Sequence, residues 1–148
     1  MEIVLFADVT RMRLERHGLA PELPACVPLA GVAAAMAGVH AQVPSAGEHS
    51  LALRVAGATR THVRQAIDQR SLVRTFGPRG TVHLLPAADL GWWMTALGSV
   101  PARGTFADGV RLDPDQTEAI VSAIGHALSE AEMTVDELNV AVGEIAGE

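Results

Sequence analysis

Apolar residues recur every three or four positions in several stretches of the chain, which is the spacing of an amphipathic α-helix. A first helix is expected from Thr10, its N-cap, to Gly18, its stop. Its charged composition predicts that most of it faces water. A second helix, buried on one face, is expected from Pro28 to about residues 40–42, and a short third helix over residues 50–55.

A fourth helix has the composition of an element that reads DNA. Thr59 or Thr61 is expected to cap it, and Val63, Ala66 and Ile67 should point inward. Its opposite face presents Arg60, Arg64, Gln65, Asp68 and Gln69. Arginine and glutamine side chains offer the hydrogen-bond donors and acceptors that distinguish bases in the major groove. A solvated, charged helix face is the alternative interpretation of the same residues.

A β-hairpin follows this helix directly. Leu72–Phe76 has the composition of a strand, Gly77–Gly80 that of a turn, and Thr81–Leu85 that of the returning strand. A helix followed at once by such a hairpin is the winged-helix arrangement, with Arg79 directed outward from the wing tip. The predicted fold is therefore mainly α with a small β-hairpin, a winged helix-turn-helix followed by additional helices.

Three further helices are expected after the hairpin. One follows Asp89, and the other two begin at the capping boxes Asp113–Gln116 and Thr134–Glu137. We expect residues 1–100 to form a winged-helix DNA-binding domain and residues 101–148 a helical extension that could begin a second winged-helix module. Because no hairpin follows the last helix, we expect a truncated sequence. The alternative is that the last two helices cover the first domain.

Acidic and basic residues are unevenly distributed. The formal net charge is -6, which by itself argues against a nucleic-acid partner. Residues 101–148 hold two arginines against ten carboxylates, giving -8, whereas residues 1–100 hold nine arginines against seven acids, giving +2. Five of these arginines fall within residues 60–79 beside one acid, Asp68. A local basic face on an acidic protein is compatible with contacts to DNA phosphates.

The rest of the composition limits the class of protein. The single cysteine, Cys26, rules out an internal disulfide and fits a reducing compartment. No uncharged apolar run is long enough to span a membrane, and no spacing of His, Cys and carboxylates predicts a zinc site. We expect a cytoplasmic protein without cofactor or metal, with double-stranded DNA as its partner.

The hairpin resembles the most recognisable stretch of a known family. Residues 72–90 run from Leu-Val-Arg-Thr-Phe through Arg-Gly-Thr-Val-His-Leu to Asp-Leu. They are similar to the winged-helix DNA-binding proteins of the azinomycin-resistance (AlkZ-like) DNA glycosylase family, in which Leu-Val-Arg-Thr, a short turn and Arg-Gly-Thr-Leu-His-Leu precede an acid-Leu helix start. The resemblance covers residues 9–100 well and residues 101–148 loosely. It implies hydrolysis of the N-glycosidic bond of a bulky, N7-alkylated purine.

The same resemblance indicates a candidate catalytic segment upstream. Residues 38–44 are similar to the family segment in which two polar residues, commonly glutamines, flank a small or apolar one. Here His40 and Gln42 flank Ala41, so this chain has histidine where the family commonly has glutamine. In a helix the two side chains would not share a face, and they converge only if the helix ends or distorts there, which Pro44 favours.

The reaction that the resemblance implies is chemically mild. An alkylated, cationic purine is already a good leaving group, so the protein must place a water and stabilise an oxocarbenium-like sugar without a strong acid. A neutral imidazole at His40 can accept a proton from the water or hydrogen-bond to it. Gln42 can hold the water or the sugar through its amide. The alternative for His40 is a structural histidine at the end of a buried helix, bonded to a carbonyl.

Candidate DNA contacts come from the fourth helix and the hairpin. They are Arg60, Arg64, Gln65, Gln69, Arg74, Arg79 and His83. For His83, anchoring of the hairpin to the core is the alternative. Two other functions fit the chain as well: a non-catalytic winged-helix DNA binder such as a transcriptional regulator, and an inactive remnant of a longer protein.

Overall fold

The computed structural model describes residues 5–100, 111–129 and 131–146, which are mostly helical with one small antiparallel sheet. This confirms the mainly α fold class. The chain divides into two units, Met1–Pro101 and Ala102–Glu148. Residues 101–110, the start of the predicted helical extension, lie outside the described residues.

The elements follow one another along the chain in a simple order. The helices are α1 (Phe6–Arg16), α2 (Leu29–Ala35), α3 (Pro44–Ala52), α4 (Arg60–Asp68), α5 (Leu90–Gly98), α6 (Pro114–Ala127) and α7 (Val135–Ala146). The strands are β1 (Val39–His40), β2 (Leu72–Phe76) and β3 (Val82–Pro86).

Helix α1 begins earlier than the sequence predicted. It starts at Phe6, and the hydroxyl of Thr10 donates to the Phe6 carbonyl, 3.0 Å away, from within the helix. The predicted end is confirmed, because the backbone turns at Gly18 with φ +63°, a conformation that glycine adopts at little cost. Helix α1 is described throughout and buries none of its residues, so its expected exposure is confirmed.

The prediction of a long second helix is wrong at its C-terminal end. Helix α2 stops at Ala35, and the backbone then reaches φ +93° at Gly38. Positive φ cannot continue a right-handed helix, so Val39–His40 continue as a strand. Pro44, which was expected to interrupt a helix, instead occupies the first turn of α3, where its missing N–H costs nothing. The third helix therefore lies earlier than the predicted 50–55.

Helix α4 has the predicted cap and the predicted inner face. The Thr59 hydroxyl accepts the His62 N–H at 3.4 Å, and the Thr59 N–H donates to His62 Nδ1 at 3.2 Å. Val63 and Ala66 are buried, and Ile67 packs partly buried against them. The core to which this face belongs comprises Val32, Ala33, Val39, Ala41, Leu51, Val55, Val63, Ala66, Leu72 and Leu84.

The sheet has the strand order β1–β3–β2. Strand β2 has the predicted bounds, and β3 is shifted by one residue from the prediction, to Val82–Pro86. The predicted hairpin is therefore confirmed. Strand β1 is the unexpected member, because its residues were expected to end a helix.

The pairing register places two different cross-strand rows of side chains on opposite faces of the sheet. Leu84 lies opposite Val39, whereas His83 lies opposite both His40 and Thr75. Successive residues of a strand point to opposite faces. The row through Leu84 joins the apolar core through Val39 and Leu84, and the row through His83 brings the polar side chains of His40, His83 and Thr75 side by side.

The hairpin turn is tight and carries an exposed arginine at its tip. Pro78–Gly80 forms a single 3-10 turn, in which Arg79 has φ +60° and Gly80 φ +68°. Gly77 was expected to serve the turn, but its φ is -135°. A Cβ at Gly77 would lie 2.9 Å from Cγ of His83, so the glycine is required by the space beside this ring.

The described residues of the second unit, 111–129 and 131–146, form two helices with the predicted caps. At α6 the Asp113 carboxylate accepts the Gln116 N–H at 2.8 Å, and ahead of α7 the Glu137 carboxylate accepts the Thr134 N–H at 2.7 Å. The helical spacing of Ile120, Val121, Ile124 and Leu128 predicts that they are buried, but Val121 and Leu128 are exposed. The functional division at residues 1–100 and 101–148 stays a prediction.

The described residues contain neither a membrane-spanning helix nor a cluster of metal ligands. No helix among them is long and apolar enough to cross a bilayer. In the same parts of the chain, no three His, Cys, Asp or Glu side chains come close enough together to hold a metal ion.

Candidate active site and nucleic-acid interface

His40 is exposed on a strand, where its ring meets that of His83. The Ala41 N–H donates to the Val82 carbonyl at 2.8 Å, which makes Ala41–Val82 a pair of the hydrogen-bonded type. The preceding pair, His40–His83, is then of the non-hydrogen-bonded type, in which cross-strand side chains approach most closely. The two ring centroids are 5.4 Å apart and the ring planes are inclined at 80°.

The ring of His83 is fixed by its surroundings. Its Nδ1 lies 2.8 Å from the Thr81 carbonyl oxygen. Because a carbonyl can only accept, Nδ1 carries a proton and donates it to this bond. His83 is 5 % exposed, which agrees with the hairpin anchor considered from the sequence. Its predicted contact with DNA stays a prediction, with little side-chain surface available for it.

Ala41 fixes the candidate catalytic segment against helix α3. Its side chain is fully buried, and a Cβ added at Gly47 of α3 would lie 2.8 Å from the Ala41 Cβ. Real carbon atoms do not approach so closely, so the contact requires small residues on both sides. His40 and Gln42, on either side of Ala41, are exposed. The segment thus has a buried centre and two solvent-facing polar residues.

The Gln42 side chain has a defined orientation. Its Oε1 accepts the Val82 N–H at 3.3 Å. A backbone N–H can only donate, so the amide oxygen must be the atom that faces it, and the two Nε2 hydrogens point elsewhere. Gln42 therefore presents mainly donors to a molecule bound beside it.

Arg74 reaches the same segment from strand β2. Its Nε donates to the Ala41 carbonyl at 3.2 Å. In a regular antiparallel ladder this carbonyl would accept the Val82 N–H. Here the Val82 N–H is bound by Gln42 instead, and the carbonyl is bound by Arg74. One of the predicted DNA contacts is thus attached to the candidate catalytic segment.

Arg60 and Arg64 bind the carboxylate of Glu48. Glu48 is 7 % exposed. Arg60 approaches Oε2 through Nε at 2.8 Å and Nη2 at 2.7 Å. Arg64 binds both oxygens, with Nε 3.1 Å from Oε1 and Nη2 3.0 Å from Oε2. These three residues are called the Glu48 cluster below.

Contacts within the Glu48 cluster shift the pKa values of Glu48 and Arg64. The hydrogen bond from Arg64, with a further contribution from Arg60, holds the pKa of the Glu48 carboxyl below its usual value, although burial acts in the opposite direction. The same hydrogen bond raises the pKa of Arg64. Arg60 and Arg64, both predicted DNA contacts, therefore already use some of their N–H donors in hydrogen bonds to Glu48.

Glu48 could not be identified from the sequence, because its partners are distant along the chain. Arg60 and Arg64 lie 12 and 16 residues away from it. The four-residue spacing of the arginines indicated a shared helix face, but no local pattern identified the carboxylate beneath that face.

The predicted site residues separate into groups. His40, Gln42, Arg74 and His83 come together around the end of β1, and Arg60 and Arg64 belong to the Glu48 cluster. Gln65, Gln69 and Arg79 are exposed, on or just after α4 and at the hairpin tip.

Known proteins match this chain over most of its length. The family model for AlkZ-like DNA glycosylases matches residues 33–146. The chain belongs to the AlkZ-like DNA glycosylases. A relative from Streptomyces sahachiroi, an interstrand DNA cross-link repair glycosylase, is 30% identical over 135 residues, which are 88% of this chain. The solved structure of the Streptomyces sahachiroi DNA glycosylase AlkZ covers 97% of this chain with a TM-score of 0.74 and 29% sequence identity.

The match to the AlkZ-like glycosylases confirms the resemblance seen in the hairpin. The matched residues 33–146 include the candidate catalytic segment as well as α4 and the hairpin. The chain spans about a third of its relatives, 35% of the cross-link repair glycosylase and 38% of the solved AlkZ chain.

Proposed function

We propose that this chain hydrolyses the N-glycosidic bond of bulky, N7-alkylated purines in double-stranded DNA, with His40 and Gln42 as its catalytic residues. The observation that carries the proposal is the extended backbone at His40, beside a firmly held Ala41. In an extended chain, residues two positions apart point to the same side. Both exposed side chains can then face one nucleotide, without the helix distortion that the sequence had required.

His40 and Gln42 have complementary tasks in this reaction. A neutral His40 ring accepts a proton from a water as the water oxygen bonds to the anomeric carbon of the sugar. The glycosidic bond breaks, and its electron pair leaves with the cationic base, which becomes neutral. The Nε2 hydrogens of Gln42 hold the water or a sugar oxygen during this step. A bulky lesion as substrate is supported by the name of the relative, which specifies repair of interstrand cross-links.

We propose that α4 and the β2–β3 hairpin form a winged helix that binds DNA. Exposed Gln65 and Gln69 would face the major groove, and Arg79 at the hairpin tip would enter a minor groove or contact phosphates. The Arg64 side chain is 56% exposed, so it can reach a phosphate only in competition with Glu48. In this proposal the protein acts in the cytoplasm.

Base release from duplex DNA tests the proposal. The wild-type chain and a His40→Ala/Gln42→Ala variant are incubated with DNA that carries an N7-alkylguanine, and background depurination is subtracted. We expect release by the wild type only, with similar DNA affinity for both proteins. Binding without release by the wild type would indicate a non-catalytic DNA binder. Equal release by both proteins would contradict the assignment of the two residues.

A further inference from the structure

We propose that Arg74 is a positioning residue, which sets the direction of the Gln42 amide by binding the Ala41 carbonyl. The inference rests on the proposed function, because it assigns Arg74 a part in organising that site. It differs from the sequence-based prediction, in which Arg74 is a DNA contact.

The hydrogen bonding between Ala41 and Val82 departs from that of a regular antiparallel pair. Ala41 and Val82 lie opposite each other, and the Ala41 N–H donates to the Val82 carbonyl at 2.8 Å. A regular pair of this type has a second bond in the reverse direction, from the Val82 N–H to the Ala41 carbonyl. Among the described residues that second bond is replaced by two others: Arg74 Nε binds the carbonyl at 3.2 Å, and Gln42 Oε1 accepts the Val82 N–H at 3.3 Å.

The two replacement bonds depend on each other. Without Arg74, the Ala41 carbonyl would lose the donor that the described residues give it. Ala41 is fully buried, and a buried polar group is costly to leave unpaired. In a regular pair the donor to the Ala41 carbonyl is the Val82 N–H, which is now bound by Gln42. Closing the regular pair would release Gln42 Oε1, and the amide could then rotate. Arg74 therefore keeps Val82 available to Gln42.

The consequence for chemistry is an oriented pair of donors. With Oε1 bound to Val82, the Nε2 hydrogens of Gln42 are directed away from the strand. Preorganised donors stabilise developing charge better than donors that must first reorient. The positioning role thus predicts a defect in the chemical step when Arg74 is removed, whereas a phosphate contact predicts a defect in DNA affinity.

Arg79 provides a matched control for the experiment. It is an exposed arginine on the same hairpin, so Arg74→Ala and Arg79→Ala remove the same charge. Each variant is measured for amide hydrogen exchange at Val82, for DNA affinity over a range of salt concentrations, and for the single-turnover rate of base release at saturating protein. Thermal unfolding checks that each variant is folded, and Arg74→Gln replaces Arg74→Ala if the latter does not fold.

We expect Arg74→Ala to slow exchange at Val82, because its N–H would then donate to the Ala41 carbonyl. The same variant should lower the release rate about 10- to 100-fold, the scale of a small misplacement of reacting groups, with DNA affinity unchanged. For Arg79→Ala we expect weaker binding, a salt slope reduced by about 1, and unchanged exchange at Val82. Arg74→Ala behaving like Arg79→Ala would overturn the inference. If the wild type released no base, the proposed function would fail, while exchange at Val82 would still decide the role of Arg74.

Discussion

The two exposed polar side chains of the candidate catalytic segment, His40 and Gln42, offer opposite hydrogen-bonding chemistry. His40 in its neutral form has a ring nitrogen that can accept a proton. Gln42 has its acceptor engaged with Val82 and presents donors. In the proposed reaction His40 activates the water and Gln42 supports the water or the sugar, and this division of tasks depends on the hydrogen bond between Gln42 and Val82.

Gln42→Glu tests whether the donors are what matters. A glutamate can still accept the Val82 N–H but has no Nε2 hydrogens, so the local structure should persist while the donors are lost. We expect the single-turnover rate of base release to fall about 100-fold, the scale of losing one preorganised donor. Hydrogen exchange at Val82 should stay at the wild-type rate in this variant and rise in Gln42→Ala. A glutamate variant with the wild-type release rate would show that Gln42 acts through its oxygen.

Single residues also show where sequence reasoning reaches its limit. The outward position of Arg79 follows from local turn chemistry and was predicted. The shared partner of Arg60 and Arg64 could not be predicted, because Glu48 contacts them only after α3 has packed on α4. The orientation of Gln42 depends on Val82, 40 residues away, and no periodicity carries that information.

Helix α4 is held by a local cap at Thr59 and by a distant carboxylate, that of Glu48 in α3. Both contribute to fixing the helix face that is proposed to contact DNA. The cap at Thr59 was predictable, because it depends on residues within one helical turn. Strand β1 could not be predicted, because the sequence pattern places its two residues at the end of a helix. They form a strand only by pairing with β3. The presence of the helices and of the hairpin could therefore be predicted from the sequence, whereas the C-terminal end of α2, the position of α3 and the sheet edge that bears the candidate catalytic segment could not.

Replacing the cap of α4 should destabilise the protein measurably. Thr59→Ala removes the side-chain acceptor of the His62 N–H, and we expect a loss of about 1 kcal/mol in the free energy of unfolding. Thr61→Ala is the control, since Thr61 is exposed within the helix and should change stability by less than about 0.5 kcal/mol. Urea denaturation of both variants provides the comparison, and equal losses would argue against the cap.

Glu48→Gln should remove a pH-dependent part of the stability. The pKa of Glu48 is lowered from its ordinary value of 4.5, chiefly by the hydrogen bond from Arg64. The stabilisation from its ionised form is therefore complete above that value and is lost as the pH falls through the lower, folded pKa. Near neutral pH we expect the variant to lose about 1–2 kcal/mol, a figure reduced for the solvent exposure of the two arginines.

The comparison for Glu48 is made by urea denaturation at neutral pH and at several values below 4.5. The difference between wild type and Glu48→Gln should shrink as the solution becomes more acidic. Glu15→Gln, which changes an exposed carboxylate of α1, should show little difference at any pH. A Glu48→Gln difference that does not vary with pH would indicate that lost packing, and not the ion pairs, causes the destabilisation.

On the scale of the whole molecule, the charge distribution is compatible with the proposed contact between this acidic protein and DNA. The arginines are concentrated in residues 1–100, and the excess of carboxylates lies in residues 101–148. The net charge of -6 therefore describes neither part. Because the chain corresponds to about a third of the relatives it matches, catalysis by this chain is the claim that most needs a direct test.

The most direct test is the pH dependence of base release by the wild type and by His40→Gln, after subtraction of background depurination. If His40 accepts the proton of the attacking water, the wild-type rate should fall on acidification, because a protonated imidazole has no acceptor. His40→Gln carries glutamine, the residue that the resemblance to the AlkZ-like family gives as common at this position. This variant should release base without the fall in rate on acidification. Parallel pH profiles for the two proteins would contradict the catalytic role of His40.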